Sequence, residues 1–128
     1  MNLRVGICLL ALAVLAACST EPDQNVTGNW GGTFGATGGP GGVWLGTLAQ
    51  TGTSVSGSVN CASIESYTVS GTNIHNTLKL TLIGAVGDTA LFSGSASNNQ
   101  GVQANGTFFD NDGAACFSGS GTWQGRIQ

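Results

Sequence analysis

"FSGSG", residues 117–121, is one of several near-copies of a short phrase in this chain. The others are "VTGNW" (26–30), "VSGSV" (55–59), "VSGTN" (69–73), "FSGSA" (92–96) and "ANGTF" (104–108). Each copy places a glycine two residues after an apolar residue, with Ser, Thr or Asn beside it. Glycine weakens a strand interior, so its repeated use there asks for a geometric reason.

The surrounding sequence reads as strands. From Val26 onward Gly, Thr, Ser and Asn dominate, apolar residues recur at period two, and no helical periodicity is found. Turn-forming clusters fall at "GATGGPGG" (35–42), "QTGT" (50–53), "CASIES" (61–66), "TNIHN" (72–76), "GAVGD" (84–88), "NNQG" (98–101) and "DNDG" (110–113). They delimit eight strands, at about 26–34, 43–49, 54–60, 67–71, 77–83, 89–97, 102–109 and 115–127. Most connections are short enough for hairpins.

Residues i and i+2 of a strand share a face. Val26, Gly28, Trp30, Gly32 and Phe34 therefore lie together. So do Val55, Gly57 and Val59; Tyr67, Val69 and Gly71; Phe92, Gly94 and Ala96; and Val102, Ala104, Gly106 and Phe108. The last strand groups Phe117, Gly119, Gly121 and Trp123, while Leu78, Leu80 and Leu82 form a face without glycine. The glycines thus share the apolar face, and Ser, Thr and Asn point outward. Inward glycines permit the sharp coiling of a closed sheet and leave room for rings from neighbouring strands. The expected fold is all-β, a single eight-stranded antiparallel up-and-down barrel spanning residues 26–128. A repeat solenoid is disfavoured because the motif glycines are irregularly spaced. A disordered Gly/Ser coat is disfavoured by the aromatics on the inner face.

The first residues have a different character. "MNLRVGICLLALAVLAACSTEPDQN" opens with Arg4, continues with an apolar run from Val5 to Val14, and reaches small residues at "LAAC" (15–18). This segment resembles the bacterial lipoprotein signal. The resemblance implies removal of residues 1–17, a lipid on Cys18, and stable anchoring by more than one acyl chain. Ser19 after the cysteine, by the same resemblance, directs the protein to the outer membrane of a cell envelope. Residues 18–25 then form the lipidated N-terminus and a flexible polar tether. Its seven residues after Cys18 reach about 25 Å at most. An ordinary secretory signal with an incidental cysteine is the alternative.

Formal net charge is −3, and loss of the leader would remove Arg4, leaving Lys79 and Arg126 as the basic residues. Without a basic run, neither nucleic acid nor anionic lipid headgroups are expected partners. The membrane is expected to be reached through the lipid alone. Cys8 leaves with the leader and Cys18 is committed to lipid, so Cys61 and Cys116 remain as a pair in an oxidising compartment. They are expected to be bonded; two separate buried thiols are the alternative. In a meander, the loops after strands 1, 3, 5 and 7 share one end, here called the mouth, which puts both cysteines at that end. The parity of strand 8 nevertheless points Cys116 outward while Cys61 follows the inward set.

No catalytic constellation is found. The single histidine, His75, lies in a turn-like stretch, and no nucleophile elbow surrounds the abundant serines. Metal ligation lacks ligands. "DNDG" lacks the later ligands of a calcium loop, and "GATGGPGG" lacks the Gly-Lys-Ser/Thr ending of a phosphate loop. The chain is expected to be non-enzymatic, with no cofactor.

"GNW" (28–30) and the late Arg126 resemble the calycin-type barrels, the lipocalin and avidin grouping. There a Gly-x-Trp opens the first strand and its Trp packs beneath an Arg of the last. The resemblance implies a barrel floor made by Trp30 and Arg126 in cation–π contact. "SGSGTW" (118–123) resembles, more faintly, the signature of small barrel lipoproteins that inhibit lysozyme. Two functions follow. Trp44, Phe92, Phe108 and Trp123 line a pocket for a small apolar ligand, or they fill the barrel and its surface serves a structural or protein-binding role in the envelope, including inhibition of a lytic enzyme.

Overall fold

The computed structural model describes residues 22–37, 41–61, 65–110 and 116–128. The leader 1–17 and Cys18 lie outside the described residues. Eight strands follow in order: β1 (Gly28–Ala36), β2 (Gly42–Thr51), β3 (Ser54–Cys61), β4 (Glu65–Ile74), β5 (Thr77–Gly84), β6 (Thr89–Asn98), β7 (Val102–Asp110) and β8 (Gly119–Ile127). Each pairs antiparallel with the next, and β8 pairs with β1 to close the barrel from Trp30↔Ile127 to Ala36↔Gly121. This is the up-and-down barrel expected from the sequence.

The parity reading holds along the walls. Trp30, Phe34, Val55, Val59, Tyr67, Val69, Phe92, Ala96, Ala104, Phe108 and Trp123 are buried, as are the three leucines of β5. Glycines make seats for the large rings. Gly32 and Gly125 are register partners on β1 and β8, and a Cβ on either would strike the Trp44 ring. A Cβ on Gly94, paired with Gly106, would strike the Trp123 ring, and one on Gly121 would strike Phe108. Each indole also bonds a backbone carbonyl. Trp30 donates to Val26 at 2.8 Å, Trp44 to Thr33 at 3.3 Å, and Trp123 to Thr107 at 3.1 Å. Buried tryptophans thus keep their polar atom satisfied.

Three elements differ from the expectation. β8 begins at Gly119 rather than near residue 115, so Phe117 and Cys116 precede the strand. Gly119 is exposed, has φ +72°, and leaves open space where a Cβ would stand. It turns the chain into β8 instead of facing the core, and the inward glycine of "FSGSG" is Gly121. β4 runs on through "TNI" to Ile74, and the turn to β5 is only His75 and Asn76, both at positive φ. Two left-handed residues match the tight hairpin that follows strand twist.

The third difference is at the N-terminus. Residues expected to belong to a free tether are bonded across the floor of the barrel. The Gln24 N–H donates to Asn76 Oδ1 at 2.6 Å, Asn76 Nδ2 donates to the Pro22 carbonyl at 3.0 Å, and Asn73 Nδ2 donates to the Gln24 carbonyl at 2.9 Å. Val26, fully buried, completes the strap beneath Trp30. Gln50, Asn73 and Asn76 fall in stretches that read as turns and Gln24 in the tether, because their partners lie far apart in sequence.

Candidate functional site

The ring cluster is the first candidate. Trp44, Phe92, Phe108 and Trp123 do come together inside the barrel. Phe92 stacks on Phe108 with centroids 5.6 Å apart, Phe92 meets Trp123 at 5.6 Å, and Trp44 meets Trp123 edge-on at 6.4 Å. Beside them Trp30 and the β5 leucines leave a wholly apolar cavity of about 30 Å³. That is roughly a tenth of the smallest ordinary ligand pocket. Phe108 does not line this cavity; its ring lies over Gly121 instead.

The mouth is closed by a residue the strand reading placed in the wall. Phe117 is fully buried, and its ring meets Phe34 at 4.7 Å, Phe92 at 4.9 Å, Tyr67 at 5.4 Å and Phe108 at 5.7 Å. Its plug position needs the chain to leave strand geometry before β8, which Gly119 allows. The Cys61–Cys116 disulfide fixes the same segment to the end of β3, with Cα atoms 6.3 Å apart, inside the range a disulfide spans. The parity conflict between these cysteines disappears because Cys116 is not in β8.

Tyr67 clamps the plug from β4. Its hydroxyl donates to Glu65 Oε1 at 2.6 Å and accepts from the backbone N–H groups of Cys116 and Phe117. Burial pushes the phenol far above its usual value near 10, the Glu65 hydrogen bond and charge add to this, and the two backbone donors oppose it. A folded-state value above the unfolded one gives a contribution present in full below about pH 10 and lost as pH rises beyond it. The unfolded phenol ionises first, so stability should fall by about 1.4 kcal/mol per pH unit there. Tyr67 is the sole tyrosine of the chain. Its tyrosinate absorbance should therefore be absent from the folded protein at about pH 11 and appear together with loss of the β-sheet circular dichroism. Titration near pH 10 with the barrel intact would contradict the clamp.

The expected floor pair does not form. Trp30 is buried, but Arg126 is exposed on the outer wall and donates to Gln103 Oε1 at 3.0 Å. The physical reason is parity. Trp123 points inward on β8, so residue 126 points outward, and it is Ile127 that pairs with Trp30. The strap and Val26, not an arginine, cover the floor-side ring. Arg126 instead borders a shallow open groove of about 380 Å³ on the outside of β7, β8 and β1, with Gln103, Asn105, Gln124 and Gln128.

His75 is exposed in the β4–β5 turn, with Nδ1 3.5 Å from Asp23 Oδ1 on the strap. Among the described residues, no group of three or more His, Cys, Asp or Glu side chains is placed to hold a metal ion. No helix among them is long and apolar enough to cross a membrane. Parts of "GATGGPGG", "CASIES" and "DNDG", at 38–40, 62–64 and 111–115, lie outside the described residues. "SGSGTW" straddles the entry to β8, and its tryptophan belongs to the core. No family model, no curated protein and no solved structure matches the chain, so its likeness to calycin-type barrels is one of architecture alone.

Proposed function

We propose that this chain is a non-enzymatic lipoprotein of the cell envelope, anchored by a lipid on Cys18 and acting through the surface of a filled barrel. The observation that carries the surface role is the interior. Rings occupy it, and the remaining space of about 30 Å³ holds no ligand of ordinary size. Binding of a small apolar molecule is the competing reading, and it requires Trp44 and Trp123 to part. The anchor reading draws on "LAAC" at 15–18 and on the strap, which brings Pro22 to the floor end. The floor then faces the membrane, proposed as the outer membrane, and the mouth faces away.

Native mass spectrometry of the protein from its own host should give the mass of the lipidated chain with no co-purified small molecule. A stoichiometric apolar adduct would favour the pocket instead. Cys18→Ala should move the protein from the membrane fraction to the soluble one. Its retention with membranes would overturn the anchor.

A further inference from the structure

The segment that closes the mouth lies outside the ladder of the barrel. Asp110 of β7 and Gly119 of β8 are register partners, yet eight residues separate them where a hairpin needs about two to five. This is the longest connection between strands. Cys116 and Phe117 belong to it and take part in no strand pairing. Gly119, exposed and at φ +72°, gives the chain a pivot where β8 begins. The segment around Phe117 can therefore lift without breaking a bond between strands.

What Phe117 occupies has the chemistry of a ligand seat. Its ring meets Phe34, Phe92 and Phe108 edge to face and Tyr67 at a tilt. Walls of this kind favour a flat aromatic ring. The Tyr67 hydroxyl adds a polar contact, because it accepts from the backbone N–H groups of Cys116 and Phe117. A free molecule combining an aromatic ring with a hydrogen-bond donor reproduces both kinds of contact. The Glu65 carboxylate bonded to the same hydroxyl disfavours an anionic ring. Phe92 also lines the small cavity beneath, so the seat adjoins it, and filling the seat does not require Trp44 and Trp123 to part.

One hold on the plug is beyond a ligand's reach. The Cys61–Cys116 disulfide keeps a displaced Phe117 beside its seat, at a high effective concentration. Cys61 is fully buried and Cys116 only partly, so an attacking thiolate reaches the Cys116 sulfur. A thiolate of a protein dithiol bonds to that sulfur, the S–S bond breaks, and the Cys61 sulfur leaves as a thiolate and is protonated. The second thiol of the reductant then attacks the mixed disulfide, Cys116 is released as a thiol, and the reductant ends as a disulfide. The plug is then held only by contacts that a ring with a donor can take over.

We infer that Phe117 is the resident occupant of a binding site for a small aromatic molecule bearing a hydrogen-bond donor, and that reduction of Cys61–Cys116 opens this site. The oxidised barrel stays filled, as its surface role requires. The reduced barrel exchanges its own ring for that of a ligand.

The test is fluorine NMR of 4-fluorophenol, fluorobenzene and 4-fluorobenzoate, each titrated with the purified full chain before and after reduction by a small dithiol. Circular dichroism is recorded on the same samples. Fluorophenol should bind the reduced protein at least about tenfold more tightly than the oxidised one. Fluorobenzoate should bind neither. Phe117→Ala should bind fluorophenol in both redox states, because an apolar hole the size of a ring takes benzene-sized molecules. Tyr67→Phe should lower the affinity for fluorophenol relative to fluorobenzene by about tenfold, a ratio that loosening of the plug does not change. Failure of the reduced protein or of folded Phe117→Ala to bind, loss of the β-sheet spectrum on reduction, or an unchanged ratio in Tyr67→Phe would each overturn the inference and leave the surface role standing. Fluorobenzoate binding as tightly as fluorophenol would overturn the ligand class. Equal binding by the oxidised and reduced protein would overturn the gate and the filled interior together.

Discussion

Gly106→Ala is expected to cost about 4 kcal/mol or more, a large share of the total stability of a domain this size. The added Cβ would run into the Ser93 carbonyl oxygen and the Cα of Gly94 on β6. These are backbone atoms and cannot swing aside like the end of a side chain. Gly94 is the register partner of Gly106, and the Trp123 ring already rests on it, so strand and ring would both have to move. Overpacking of this kind propagates, since the ladder is continuous around the barrel. Urea unfolding measures the loss. Gly35→Ala is the matched control. Gly35 faces open space on the outer wall, and its change should stay within about 0.5 kcal/mol. Equal losses at the two positions would refute the close backbone approach that Gly106 permits.

Removing the Cys61–Cys116 disulfide, by reduction or by Cys61→Ala/Cys116→Ala, is expected to cost about 4 kcal/mol in the chain-entropy account. The bond joins residues 55 apart in sequence, and a long closed loop restricts the unfolded chain strongly. The folded-state consequence is local. Cys116 precedes Phe117, so cutting the link releases one anchor of the plug and leaves it to Tyr67 and the ring contacts. Amide exchange should therefore rise most around Cys116–Phe117 and at the mouth ends of β3 and β4, while the Trp30 end under the strap stays protected. Unfolding in urea with and without reductant gives the global number. A shift under about 1 kcal/mol would mean that the unfolded chain is compact without the bond.

Much of the barrel is legible in the chain because strand parity is a local rule. A glycine two residues from a buried ring is on the same face whatever the rest of the protein does, so "VSGSV", "FSGSA" and "ANGTF" identify inner walls directly. The phrase "FSGSG" looks identical and behaves differently. Its first glycine turns the chain at positive φ, and Phe117 leaves the wall to plug the mouth. No feature inside five residues separates those outcomes. What separates them is the disulfide, the Tyr67 hydroxyl and the hole between four other rings, all supplied from distant strands. Arg126 failed for the opposite reason. The calycin analogy placed it inside, where its own parity with Trp123 already pointed it outward.

The strap follows the same division. "STEPDQN" carries the composition of a linker, and composition reports only that a segment cannot form a core by itself. Its bonds go to Asn73 and Asn76 on the β4–β5 hairpin and become available only once the barrel has closed. The sequence by itself determined the all-β class, the number and order of strands, the inward glycines and the choice of cysteine partners, because these depend on period, turn residues and count. Only the tertiary structure decided that the rings leave about 30 Å³ between them, that Phe117 shuts the mouth and that the strap shuts the floor. Interior volume is the small difference between the size of a barrel and the side chains packed into it. That difference depends on how rings from separate strands interlock in space, which no local pattern records.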